Sequence, residues 1–137
     1  MADELPDPEE RMEQLLKALS SAYALASKHL QELPLPIGLP PMEEDAWDLV
    51  TAITAMDRAR TVLLNEEPID PMPRDFLRRL LTEWLVAWDL WAFTKIAGPA
   101  PWRLEGIELA VRRIIQISGL LDLDIDLDAE DDESSEE

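Results

Sequence analysis

The chain has 137 residues, 30 Asp and Glu against 12 Lys and Arg, a formal charge of −18 and 47% hydrophobic residues. That balance excludes direct binding to nucleic acid or to anionic membrane surfaces, both of which are met with clustered Lys and Arg, yet the apolar content is too high for an acidic disordered chain. The absence of cysteine removes disulfides, thiolate metal sites and Cys nucleophiles, and a lone histidine, His29, cannot build a multi-His centre.

The first residues, Met1 to Pro6, carry neither a basic nor an apolar signal segment. The longest apolar stretch, residues 80–98, is interrupted by Glu83, Asp89 and Lys95. A cytoplasmic protein with no membrane span is expected.

Prolines cut the chain into four helix-sized blocks. The first opens at Asp7-Pro8, where Asp suits the cap and Pro the first helical position. Met12, Leu15, Leu16, Leu19, Ala22, Tyr23, Ala26, Leu30 and Leu33 then fall at spacings of three and four, one face of an amphipathic helix. Residues 34–41 hold four prolines and predict an extended connector with its Leu and Ile laid on the bundle.

A second helix is expected over residues 42–66, with Trp47, Val50, Ile53, Met56, Leu63 and Leu64 as its apolar stripe. The third, over 74–97, is apolar nearly all the way round and includes Trp84, Trp88 and Trp91. Such a helix is the centre of the bundle or has one face covered by another chain, and these three tryptophans read as core. The fourth, over 102–121, places Leu104, Ile107, Val111, Ile114, Ile115 and Ser118 together, with Glu108 and Arg112 in the favourable order for a surface pair.

The end of the chain changes character. Leu121-Asp122-Leu123-Asp124-Ile125-Asp126-Leu127-Asp128 alternates strictly, and the segment from Asp122 onward holds ten acidic residues and no basic one. As an extended strand it sets Leu and Ile on one side and carboxylates on the other, repeating about every 6.6 Å, comparable to phosphates along a nucleic-acid strand. A calcium-loop reading fails because Leu127 stands where the sharp turn requires Gly. In composition and fold class, though in no motif, the acidic, helical, tail-bearing profile resembles phage-type DNA-mimic inhibitors.

Catalytic constellations are poorly supported. No Glu-x-x-His for a carboxylate di-metal site occurs, only the reversed pair His29 and Glu32, and His29 is expected to be partly exposed. No serine sits in a Gly-x-Ser-x-Gly elbow and no glycine-rich phosphate loop is present. Glu83 and Asp89 are expected to be enclosed among the tryptophans and ion-paired, with Arg58, Arg60, Arg79, Lys95, Arg112 and Arg113 as candidate partners.

The expected fold is therefore all-α: an antiparallel four-helix bundle over 1–121, with Pro-rich connectors, followed by an extended acidic C-terminal tail over 122–137. The expected function is non-enzymatic and cofactor-free, without metal. The protein would dock on a basic protein surface, such as that of a nucleic-acid-processing complex, as an inhibitor or nucleic-acid mimic. Asp122, Leu123, Asp124, Ile125, Asp126, Leu127 and Asp128 are the expected contact residues, joined by Trp47 and Trp102 at helix starts, since tryptophan is enriched at binding hot spots. The alternative is an assembly chaperone, structural subunit or homo-oligomer that uses the apolar third helix and the Leu/Ile side of the tail.

Overall fold

The computed structural model describes residues 7–40 and 49–136, with side chains through Asp122. The elements are α1 (Pro8–Gln31), α2 (Leu49–Thr61), a 3-10 turn (Leu63–Glu66), α3 (Pro71–Ala97) and α4 (Pro101–Glu136). They form an all-α helical bundle, with no strand among the described residues.

Helix α3 is the hub, packed against α1, α2 and α4. Indole hydrogen bonds set its direction against α1: Trp84 Nε1 donates to the Leu19 carbonyl at 2.9 Å and Trp91 Nε1 to that of Met12 at 3.0 Å, so the two helices run antiparallel. Helix α4 returns antiparallel to α3, with Arg113 bridged to Glu83 and Arg103 stacked on Phe93. Helices α1 and α4 run the same way, tied by Arg11 to Glu108 near one end and His29 to Ser118 near the other. Fully buried side chains from several elements (Leu19, Leu30, Met56, Leu64, Leu80, Trp84, Ile107, Ile114) meet in one core. Each removes apolar surface from water at about 1.5–3 kcal/mol per side chain.

Prolines start α1, α3 and α4, where their missing N–H would be an orphan anyway. The Asp7 and Asp70 side chains do not cap their helices, so Asp7 departs from its expected role. The α3–α4 turn is closed by Gly98 at φ 100° and ψ 157°, a region open to glycine alone. In the connector Ile37 and Leu39 are buried as expected, whereas Leu35 is exposed. The Leu35 N–H donates to the buried Glu67 carboxylate, and the Tyr23 hydroxyl donates to the Pro40 carbonyl. Arg74 donates to the carbonyls of Leu64, Glu67 and Ile69, holding the irregular link onto the start of α3.

Three expectations need correcting. The α2 helix stops at Thr61, followed by the 3-10 turn. It buries Ala52, Met56 and Ala59, while Val50 is exposed. On α4, Ile115 points outward while the rest of its expected stripe is buried. Most importantly, α4 does not end at Leu121: helical backbone continues through Glu136, so the acidic segment is not an extended tail. A helix already under way gains one hydrogen bond for each residue it orders, and neither Gly nor Pro follows Gly119 to stop it. A strand would require a neighbouring strand to pair with.

Candidate functional site

Two places on the bundle combine exposure or a cavity with distinctive chemistry, and both lie along α3. The first is the outer face that the C-terminal half of α3 shares with the start of α4. Val86, Phe93 and Ile96 recur there at helical spacing and are 50%, 50% and 86% exposed, forming with Ala92 and the half-buried Leu90 a shallow apolar groove beside Asp89. On α4, Trp102 (69% exposed) and Leu109, seven residues on, share a face. Between them Gly106 lies beside Leu90, where a Cβ would make an ordinary contact with its side chain at 3.6 Å. The Arg103 guanidinium lies 4.8 Å from the Phe93 ring centroid and 5.6 Å from that of Trp102, a cation–π link that knits the two helices' exposed aromatics into one surface.

The second place is a cavity of about 330 Å³ at the opposite end of α3, where α1 ends, the link enters α3 and α4 passes Leu121. Leu33, Ile69 and Leu77 give it apolar walls, and Glu32 and Asp70 stand among its polar lining residues. His29 also lines it and is buried, which corrects the expectation of partial exposure. Its Nε2 is hydrogen-bonded to Ser118 Oγ at 2.8 Å. Burial pushes the His29 pKa below its ordinary value of 6.5, outweighing the nearby Asp122 and Glu32 carboxylates, which pull the other way; Lys28 adds to the depression. The ring is therefore neutral at pH 7.

Of the expected contact residues, Asp122 is exposed at the His29 end and Trp102 is exposed at the other, about 30 Å away along α4 at 1.5 Å per residue. Leu123, Asp124, Ile125, Asp126, Leu127 and Asp128 belong to the helical continuation, with side chains outside the described residues, and Trp47 lies outside them altogether. The acids expected to be enclosed divide. Glu83 is partly buried and pairs with Arg113 at 2.9 Å, which holds the Arg113 pKa above its usual value, whereas Asp89 is exposed. Arg112 and Glu108 pair as expected at 2.6 Å, and Arg11 from α1 joins them.

Among the described residues no three His, Asp or Glu side chains converge as a metal-binding group, and no helix is long and apolar enough to cross a membrane. Composition and spacing singled out Trp102 but not Phe93 or Ile96. The signal that could have found them was the all-round apolar character of α3, whose uncovered face they occupy. No family model, curated protein or solved structure matches the chain.

Proposed function

We propose that this is a non-enzymatic binding protein whose α3–α4 outer face receives a cationic amphipathic helix of another protein. The observation that carries the reading is the exposed apolar groove of Val86, Phe93 and Ile96 on α3, joined through Arg103 to the exposed Trp102 of α4, on a chain of charge −18. Clustered exposed apolar side chains are a feature of interaction surfaces, and aromatic anchors such as Trp102 and Phe93 supply the central contacts of many of them. The charge selects the occupant. Two copies of a strongly acidic chain repel, whereas a basic partner is steered in by complementary potential and grips once its apolar side is desolvated. The acidic segment from Asp122 contributes to that steering in this reading, and the apolar face contributes to the slow dissociation.

The test uses a labelled synthetic peptide of Leu and Lys with helical amphipathic spacing, a scrambled peptide of the same composition, and fluorescence anisotropy at low and at physiological salt. The amphipathic peptide should bind at least tenfold more tightly than the scrambled one. A Phe93→Ser/Ile96→Ser/Trp102→Ser variant should lose most of that preference, on the order of 2 kcal/mol for anchors of this kind. Replacing Asp122, Asp124, Asp126 and Asp128 by Asn should weaken binding mainly at low salt. Equal binding of the two peptides, abolished by the four Asn substitutions and untouched by the Ser variant, would overturn the apolar docking face and leave the nucleic-acid-mimic reading of the acidic segment.

A further inference from the structure

The cavity at the His29 end has no part in the docking reading, since it lies at the opposite end of α3 from Phe93 and Ile96. Its volume of about 330 Å³ falls at the lower end of the range of small-molecule sites, and its lining is mixed, apolar side chains and polar groups contributing surface in about equal share. His29 is only 5% exposed, yet one of its ring nitrogens is satisfied by Ser118 and the other, Nδ1, has no hydrogen-bond partner among the described residues. A buried polar atom left in this way calls for a partner, which native proteins commonly supply as a water or a ligand.

The charges around the cavity agree on what that partner is. Glu32 at the end of α1 and Asp70 before α3 line the cavity, and Asp122 on α4, outside the lining, acts on His29 electrostatically; Lys28 opposes them at His29, and the Arg74 guanidinium is held on the carbonyl of the wall residue Ile69. The carbonyl end of α1 adds its negative dipole. An anion is therefore repelled. A bare metal ion would leave the walls of Leu33, Ile69 and Leu77 unused.

We propose that this cavity binds a small organic ammonium, a protonated amine carried on a compact apolar body. The apolar body fills the space against Leu33, Ile69 and Leu77. The ammonium has N–H donors for the Glu32 and Asp70 carboxylates, and one for Nδ1 of a neutral His29 whose Nε2–H donates to Ser118 Oγ.

The experiment is a titration of the full chain at pH 7.5, following the ring resonances of His29, which are unambiguous because the sequence contains no other histidine. Four probes share or lack one feature each: benzylamine, benzyl alcohol, phenylacetate and methylamine. Benzylamine should shift the His29 resonances saturably and bind about fivefold or more tighter than benzyl alcohol, the range that partly exposed carboxylates support. Phenylacetate and methylamine should produce no saturable shift. A Glu32→Gln/Asp70→Asn variant, whose substitutions fall at exposed positions, should bring benzylamine down to the affinity of the alcohol without changing the alcohol's own. Benzylamine and benzyl alcohol binding equally, methylamine matching benzylamine, phenylacetate binding, or no response at His29 up to millimolar probe would each overturn the proposal.

Discussion

Helix α3 carries aromatic residues on two faces that meet opposite fates. Toward α1 it presents Trp84, Trp88 and Trp91, whose rings follow one another at 5.5 and 5.3 Å, with Tyr23 of α1 at 5.3 Å from Trp84. Beside α4, in the same helix, it presents Phe93 to solvent, with Arg103 as its cover. The inner face has a whole helix laid along it, and the indole N–H groups of Trp84 and Trp91 each find a carbonyl on that helix. The outer face has no element over it among the described residues. Side-chain chemistry is much the same on both faces; what separates them is whether a neighbouring helix arrives.

The largest test of that contrast is removal of the inner anchor. Trp84 is fully buried, and Trp84→Ala deletes its ring contacts and opens a cavity, so unfolding in urea should show a loss of about 3–5 kcal/mol. Trp84→Phe should cost markedly less, because a ring still fills most of the space, and the Leu19 carbonyl, which also accepts a hydrogen bond within its own helix, is not orphaned. A cost for Trp84→Ala below about 1 kcal/mol would mean that the α1–α3 seam is loosely packed and that the two faces are more alike than their burial indicates.

His29 gives a second, conditional effect. Its pKa is lowered in the folded protein, so in the window beneath 6.5 the unfolded chain binds the proton first. The His29 contribution is therefore intact above pH 6.5, is lost as pH falls through that window, and levels off below the folded pKa. Urea midpoints measured from pH 7.5 to 5.5 should fall more steeply for the native chain than for His29→Gln. Identical slopes would show that His29 is not held neutral. The difference between the two chains is the informative quantity, because the many carboxylates also titrate toward the acid end.

These particulars show which features sequence can carry. The α1 stripe from Met12 to Leu30 was legible because large apolar residues recur at three and four, and the proline breaks marked the ends of elements. The Glu83 partner was legible as one of a short set of basic residues, of which Arg113 proved to be the one. By contrast, α2 buries alanines, which give almost no periodic signal, and its exposed Val50 misled the stripe. The burial of His29 depends on Ser118, 89 residues away, and the cavity beside it on four separate segments, so no local pattern announces either. The Leu/Asp alternation has the strand period, and the helix that runs into it overrides the pattern.

The smallest expected effect bears most directly on the outer face. Ile96 is 86% exposed, and Ile and Ser have similar helix propensity, so Ile96→Ser should change stability by no more than about 0.5 kcal/mol. Phe93→Ser should cost somewhat more, up to about 1 kcal/mol, since it also removes the ring on which Arg103 rests. Near-neutral values for both, measured in the same urea series as Trp84→Ala, would mean that the apolar character of this face is not needed for folding. A loss of several kcal/mol for Ile96→Ser would reverse that conclusion. An exposed isoleucine can be that costly only if the free protein already covers it, and the outer face would then belong to the fold, with no room left for a partner.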